Sequence, residues 1–109
     1  MDRTKAMQTY LPMTESMYYI LLSLLEPRHG YGIMQDVEKL TEGRIRLGAG
    51  TIYTSLSKLD KDGLIVAVAE EERRKIYRAS LLGVQILKAE NRRLHELYEN
   101  GRHVADLPD

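Results

Sequence analysis

The apolar positions of this chain recur with a helical period in four stretches. The spacing predicts helices over residues 15–25, 31–41, 49–62 and 81–100. The first of these helices is apolar around nearly its whole circumference, and a helix of that kind needs burial on more than one side. In so small a domain, the second side can be provided by another subunit.

Alternation of polar and apolar residues predicts strands before and after the third helix. Residues 44–47 alternate like a short strand, and residues 64–69 and 74–79 predict a β-hairpin with a charged tip at 70–72. The resulting order of helix, helix, strand, helix, strand, strand and helix is typical of a winged helix-turn-helix. We therefore expect a mainly α fold with a small antiparallel β-wing, completed by a C-terminal dimerisation helix.

Capping residues and chain breakers support these boundaries. Thr14 and Ser80 are suited to cap the first and last helices with their hydroxyl groups, and Gly63 follows the third helix where a left-handed residue is common. His29 lies in the turn before the second helix. We assign it a turn-stabilising role, because the chain has no cysteine and no Ser-His-Asp set accompanies this histidine.

The third predicted helix has two contrasting faces. Its apolar stripe consists of Ile52, Leu56 and Leu59. The opposite face is polar, short-chained and basic, and it consists of Thr54, Ser57, Lys58 and Lys61. An ordinary solvated helix surface and a nucleic-acid contact both fit this pattern.

The last predicted helix carries an apolar seam with alternating spacings of three and four residues. The seam consists of Val84, Leu87, Asn91, Leu94 and Tyr98. This is the a/d pattern of a coiled coil over about two heptads. The central Asn91 weakens an apolar interface but favours a paired Asn–Asn contact, so we expect a symmetric dimer through this helix. The alternative is that the seam packs within its own domain.

Composition limits the classes of function. The 109 residues suit one domain, and the absence of cysteine excludes a disulfide-stapled secreted fold. The longest apolar run is too short to span a membrane, and no phosphate-binding loop or convergent catalytic set is present. We expect a cytoplasmic protein that is not an enzyme and that has no cofactor or metal.

Charge is balanced overall but unevenly distributed. Residues 1–43 carry four basic and six acidic side chains, residues 44–83 carry eight and five, and residues 84–109 carry four and five. Local basicity of the central block can attract phosphates even in a neutral protein, because exposed charges are screened over about 10 Å. A solvated charged face would have the same composition.

Four segments together resemble the PadR-like transcriptional regulators. They are His29-Gly30-Tyr31-Gly32-Ile33, Gly50-Thr51-Ile52-Tyr53, the run from Leu56 to Ile65, and Arg73-Arg74-Lys75-Ile76-Tyr77-Arg78. The resemblance covers residues 13–99, with the segments in the order and at the separations of the family. It implies a homodimeric, repressor-type regulator, often of detoxification or drug-efflux genes, in which the C-terminal helix contacts the partner's first helix.

The resemblance makes the third helix the recognition helix, which enters the major groove of DNA. In the family, the segment matching Gly50–Tyr53 opens this helix, and the segment matching Arg74–Tyr77 forms the second wing strand. Thr54 stands where family members often have proline, so the first turn can sit differently. Ser80 replaces the family's threonine at the start of the last helix and can cap it equally well.

On this basis we expect eight DNA-binding residues. They are Thr51, Tyr53, Thr54, Ser57, Lys58, Lys61, Arg73 and Arg74. Lysines neutralise phosphates and make the affinity depend on salt, whereas short hydroxyl side chains can approach bases or backbone. Tyr53 can either pack or donate its hydroxyl to a phosphate, and the resemblance favours the phosphate. Phosphates would repel the acidic tip Glu70–Glu72, so we expect the arginines beyond it to bind instead.

Four regions follow from these assignments. We expect a loosely held N-terminal arm over 1–12, a winged-helix DNA-binding domain over 13–80, a dimerisation helix over 81–100 and a C-terminal tail over 101–109. The resemblance also allows a small-molecule effector at the dimer interface. Candidate effector-binding residues are Tyr18, Tyr19 and Tyr98, for which core packing is the alternative role.

The predicted function is that of a ligand-responsive repressor. It would bind a pseudo-palindromic operator in double-stranded DNA as a homodimer. The alternative is a winged-helix module that binds another protein and no operator, which the neutral net charge and the acidic wing tip favour.

Overall fold

The computed structural model describes residues 1–109. Its elements follow the order α1 (Arg3–Tyr10), α2 (Glu15–Ser23), α3 (Gly30–Leu40), α4 (Ala49–Lys61), β1 (Ile65–Glu71), β2 (Arg74–Ala79) and α5 (Leu81–Gly101), with a 3₁₀ helix over Arg102–Asp106. The two strands form one antiparallel sheet. The predicted fold class, mainly helical with a small β-wing, is confirmed.

The N-terminal segment contains a packed helix, and the expectation of a loosely held arm over residues 1–12 is wrong. Asp2 caps α1 by accepting a hydrogen bond from the N–H of Lys5 at 2.8 Å. Ala6 and Tyr10 are buried, and their spacing of four places them on one helix face, while α1 packs chiefly against α5. That buried face is only two residues wide, so the hydrophobic pattern of this segment does not predict a helix.

The strand expected over residues 44–47 is also absent. Its apolar side chains do contact the core, but its backbone joins no sheet. The hydroxyl of Thr41 accepts a hydrogen bond from the N–H of Ile45 at 3.0 Å and ties the segment to the end of α3. The wing pairs instead with Arg28, which exchanges two backbone hydrogen bonds with Tyr77 at 3.0 and 2.9 Å.

The helix caps agree with the sequence. Thr14 and Ser80 accept hydrogen bonds from backbone N–H groups three residues later, at 3.2 and 3.1 Å. His29 caps α3, because its Nδ1 accepts from the N–H of Gly32 at 3.2 Å, and this confirms its turn-stabilising role. Gly63 has a φ of +80°, the left-handed conformation expected after the end of α4.

The core lies where α2, α3 and α4 meet, and the base of the wing and α5 complete it. The largest fully buried side chains include Ile20, Leu21, Leu24, Ile33, Ile52, Leu59, Leu64, Ile65 and Ile86. Ala6 and Tyr10 of α1 and Ile86 and Leu87 of α5 also belong to the core. None of the helices is both long enough and apolar enough to cross a membrane.

The start of α5 lies in direct contact with the base of the wing. Gly83 packs against the carbonyl group of Leu64, and a Cβ at residue 83 would lie 2.1 Å from that oxygen. The same carbonyl accepts a hydrogen bond from the N–H of Ser80 at 2.9 Å. Because only glycine permits this approach, residue 83 determines how closely α5 approaches the wing.

Candidate nucleic-acid interface

Helix α4 presents the two faces that its sequence predicts. Ile52, Leu56 and Leu59 are buried, and their burial fixes the rotation of α4 about its own axis. The side chains on the opposite face are exposed, and they belong to Thr51, Thr54, Ser57, Lys58 and Lys61. The rotation of the helix is therefore set by packing, and the exposed face is free to contact a partner.

The side chain of Tyr53 extends from α4 to the start of α3. Its ring borders Gly30, where an added Cβ would lie 3.2 Å from Cζ of the tyrosine. The tyrosine side chain is nevertheless 57% exposed. Tyr53 is therefore both packed and accessible, two roles that the sequence presents as alternatives, because a glycine opposite the ring lets it approach the start of α3 closely.

A basic groove separates α4 from the wing. Its volume is about 300 Å³. The lining residues are Gly30, Tyr53, Leu56 and Ser57 on the helical side and Arg73, Arg74, Lys75 and Tyr77 on the wing. Three cations and no carboxylate line the groove, so it attracts anions. Four of the eight predicted DNA-binding residues meet in this groove, and the other four lie along the exposed part of α4.

The wing tip is a two-residue turn formed by Glu72 and Arg73. Both residues have left-handed φ angles, of 50° and 67°, which is the type I′ pattern of tight hairpins. Glu71 lies directly opposite Arg74, and the preceding pair also joins a carboxylate to a cation. The hairpin is thus longer than the predicted one, and the expected tip of 70–72 contributes its first two residues to β1.

The two lysines on the exposed face of α4 have different surroundings. The Nζ of Lys58 lies 3.5 Å from Oδ2 of Asp62 and 4.9 Å from the centre of the Tyr10 ring. Lys61 forms no ion pair within 4 Å. Tyr10 donates its hydroxyl to the same Asp62 oxygen at 2.7 Å. The ammonium group of Lys58 is therefore turned toward α1, away from the wing.

The hydrogen bond between Tyr10 and Asp62 shifts the pKa of both groups. The bond from Tyr10 lowers the pKa of Asp62, and the positive charge of Lys58 lowers it further. Burial raises the pKa of Tyr10, and the hydrogen bond to Asp62 raises it further. Asp62 is therefore ionised and Tyr10 protonated at neutral pH. Sequence reasoning misses both residues, and the only signal for Tyr10 is its spacing of four from Ala6.

The arrangement of α3, α4 and the wing recurs in known proteins. The model of the transcriptional regulator PadR-like family matches residues 20–89, which is more than half of the chain. The chain belongs to the PadR-like family of transcriptional regulators. This family consists of regulators rather than enzymes, so the predicted family and the prediction that the chain is not an enzyme are confirmed.

Three relatives illustrate the similarity. The transcriptional regulator Rv3488 of Mycobacterium tuberculosis is 35% identical over 72 residues, which cover 63% of this chain and 64% of the relative. The match thus spans slightly less than two thirds of that regulator. The X-ray structure of a PadR-like transcription factor from Bacteroides fragilis is 29% identical, with a TM-score of 0.69 over 94% of this chain and 99% of that one. The PadR-like regulator BC4206 of Bacillus cereus shares the fold at 17% identity, with a TM-score of 0.69 over 95% and 99% of the two chains.

Helix α5 of this PadR-like chain is buried only in its N-terminal half. Among the predicted seam residues, Leu87 is buried and Val84 is half-buried. Further along, Leu94 and Tyr98 are 39% and 65% exposed, and the neighbouring Leu97 is 55% exposed. The first part of the seam therefore packs on its own domain, whereas the second part is only partly covered at Leu94 and mostly exposed at Tyr98.

The amide of Asn91 is already engaged at the centre of the seam. Its Nδ2 donates to the hydroxyl of Tyr18 at 2.9 Å and joins α5 to α2. An open groove of about 390 Å³ runs between these helices. It is lined by Tyr18, Leu22, Leu25, Val84, Leu87, Lys88, Asn91 and Arg92. An Asn–Asn contact between subunits would have to compete with the bond to Tyr18 or share its donor group.

Two of the three candidate effector residues lie together. The rings of Tyr18 and Tyr19 stand edge to face, with their centres 5.8 Å apart. Both line a cavity of about 340 Å³ whose other walls are Met13, Glu15, Glu90 and Leu94. Tyr98 lines neither this cavity nor the larger groove, because it lies on the exposed half of α5.

Glu90 is a buried acid at the point where α5 leaves the body of the protein. It accepts a hydrogen bond from the N–H of Met13 at 2.6 Å and pairs with Arg93. Burial opposes its ionisation, but the bonds from Arg93 and Met13 outweigh that effect, so the pKa of Glu90 lies below its ordinary value. The ionised carboxylate ties α5 to the connection between α1 and α2.

Proposed function

We propose that this PadR-like chain is a cytoplasmic, homodimeric regulator that binds a pseudo-palindromic operator, with one α4 helix in each half-site. The observation that carries the proposal is the basic groove between α4 and the wing, which continues into the exposed polar face of α4. Helix dimensions fit the major groove, and half-sites in such dimers lie about 34 Å apart or at a multiple of that distance.

Each part of this surface has a distinct proposed role. Lys58, Lys61, Arg73 and Arg74 neutralise phosphates, while Thr51, Thr54 and Ser57 approach base edges or the backbone. Tyr53, whose ring rests on the start of α3, donates its hydroxyl to a phosphate. The carboxylates of the wing tip stay off the DNA, because a phosphate backbone repels them.

The proposed dimer uses the uncovered half of α5. Leu94 and Tyr98 from one subunit contact α2 and α5 of the other, beside the groove that contains Leu22 and Leu25. Support comes from the exposed apolar residues that the chain itself leaves uncovered in this region. In this arrangement the two α4 helices are held at a fixed separation, which suits a two-fold symmetric operator.

An effector site at the dimer interface would couple a small molecule to DNA binding. The cavity beside Tyr18 and Tyr19 supports this part of the proposal, and Tyr98 of the partner subunit would complete its wall. A ligand that favours the α4 separation matching the operator would strengthen DNA binding, and a ligand that favours another separation would weaken it.

Binding to DNA can be tested directly. Fluorescence anisotropy with the duplex upstream of the gene for this chain, across a salt series, should give nanomolar to micromolar affinity that falls steeply with salt. Changing Lys58→Ala together with Lys61→Ala should reduce the slope of log affinity against log salt by about 2. The matched pair Lys5→Ala with Lys39→Ala, on α1 and α3, should leave the slope close to that of the wild type.

Two outcomes would contradict the proposal. One is the absence of binding by the wild-type chain at low salt, which would favour the winged-helix module that binds another protein. The neutral net charge and the three carboxylates near the wing tip are the observations in favour of that second candidate. The other outcome is an unchanged salt slope in the α4 double variant, which would remove α4 from the contact surface.

A further inference from the structure

Helix α1 is joined to the recognition helix α4 by a single polar contact between residues far apart in sequence. The hydroxyl of Tyr10, at the end of α1, donates to Oδ2 of Asp62, the C-cap residue directly after α4, at 2.7 Å. The tyrosine side chain is only 5% exposed. Because the donor is buried and belongs to another helix, the carboxylate of Asp62 has little freedom to move.

The fixed carboxylate and the tyrosine ring act together on Lys58. Its Nζ lies 3.5 Å from the Asp62 oxygen that accepts the Tyr10 bond, and 4.9 Å from the centre of the Tyr10 ring. A carboxylate and an aromatic face both attract an ammonium group. A lysine side chain on a helix surface otherwise samples many rotamers, so two attractions on one side confine it.

The position of Lys58 complements that of the wing cations. Arg73 and Arg74 lie at the edge of α4 that faces the wing, in the basic groove. Lys58 faces α1 at the other edge, beside Thr9, Tyr10 and Met17 in a shallow cleft. A helix that enters the major groove lies between two phosphate backbones, one on each side. The structure thus places cations at both edges of α4.

We propose that Tyr10 and Asp62 are positioning residues, which hold the ammonium group of Lys58 at the α1 edge of α4 where it meets a backbone phosphate. This inference rests on the proposed DNA-binding function and extends it to α1, which then becomes part of the DNA-binding unit. Tyr10 itself touches no DNA in this arrangement. Its contribution to affinity passes entirely through Lys58.

A double-mutant cycle on DNA binding tests this dependence. Tyr10→Phe keeps the ring and its burial but removes the hydroxyl that fixes Asp62, and it should weaken binding by about two- to fivefold. Lys58→Met keeps most of the aliphatic stem and should lower the salt slope by about 0.9. Adding Tyr10→Phe to Lys58→Met should cause no further loss of affinity. Measurements well below the melting temperature of each variant, checked by circular dichroism, exclude unfolding as the cause.

A second measurement examines the free protein and needs no DNA. The ring current of Tyr10 should displace the NMR signals of the Lys58 ε-methylene protons from those of a free lysine. Asp62→Asn keeps an acceptor for the Tyr10 hydroxyl but removes the negative charge, and it should move these signals back toward free-lysine values. Lys61, on the same helix without an ion pair, is the internal control.

The outcomes distinguish this inference from the proposed function. Equal loss of affinity from Tyr10→Phe with and without Lys58 would mean that Tyr10 acts independently of Lys58, and it would overturn the inference while DNA binding stands. Stronger binding by Tyr10→Phe would show that Lys58 is restrained from DNA and would also overturn it. Unperturbed Lys58 signals in the free protein would do the same. No DNA binding by the wild-type chain would instead refute the proposed function, and the inference with it.

Discussion

Helices α4 and α5 carry apolar stripes of the same period, but only one stripe is complete within the chain. Along α4, Leu56 and Leu59 are at most 3% exposed. Along α5, Leu87 is buried, whereas Leu94 is 39% exposed and Tyr98 is 65% exposed. The period therefore identifies the apolar face of a helix and leaves open what covers that face. The first stripe is a property of the folded monomer, and the second is one that we propose a partner subunit completes.

The largest expected effect is a difference in unfolding free energy between a substitution in the buried stripe of α4 and one on the exposed half of α5. Leu59→Ala should lower the free energy of unfolding by about 2–5 kcal/mol, because the cavity forms inside the core. Leu97→Ala, the control on the exposed half of α5, should change it by less than about 0.5 kcal/mol at protein concentrations below the dissociation constant of the proposed dimer. Urea denaturation at several protein concentrations gives both values. Similar losses at the two positions would mean that α5 is buried within the monomer.

The next effect concerns association. Leu94→Asp together with Tyr98→Asp should raise the dissociation constant of the proposed dimer by more than about 30-fold, since central apolar residues dominate interface energies. Leu87 is unsuitable for this test because it belongs to the core of its own chain. Sedimentation velocity measures the change, with Glu96→Ala on the opposite face of α5 as the control. A dimer that persists in the double variant would place the interface elsewhere.

The smallest expected effect concerns the pH dependence of stability, and it arises from Glu90 at the junction between the two halves of α5. The pKa of Glu90 is lowered in the folded chain, so its ionised form stabilises the fold above the unfolded-state pKa, and this contribution disappears as pH falls through the folded-state pKa. The unfolding free energy of Glu90→Gln should therefore depend less on pH between about 5 and 3 than that of the wild type. Thermal melts at matched pH values measure this difference. If the exposed-site variant Glu96→Gln shows the same change, the effect comes from the loss of one negative charge anywhere on α5 and not from the buried bonds of Glu90.

Local signals predict much of this fold correctly. Thr14 and Ser80 cap the helices that follow them. A hydroxyl group directly before a helix can accept a hydrogen bond from a first-turn N–H that has no partner within the helix. The two faces of α4 follow from spacing alone, since one stripe of three residues fixes the rotation of the helix. The exposure of all the predicted DNA-binding residues follows from the same rotation and from the hairpin.

Contacts between distant segments account for what the sequence does not predict. Helix α1 is missed because its buried face has only two residues, and one of them is a tyrosine that also forms a polar contact. Residues 44–47 alternate like a strand, but the wing pairs with Arg28 instead, and no local pattern specifies which of two segments pairs with a hairpin. The environment of Lys58 depends on Tyr10, which is separated from it along the chain by all of α2 and α3 and most of α4.

The glycine at the start of α5 has a mechanical consequence. Because Gly83 rests on the carbonyl of Leu64, and that carbonyl also accepts from Ser80, no side-chain layer separates the root of α5 from the root of the wing. Soft side chains absorb small displacements by changing rotamer, but two backbones in contact cannot. We therefore expect that a tilt of the far end of α5 is transmitted directly to the base of the wing.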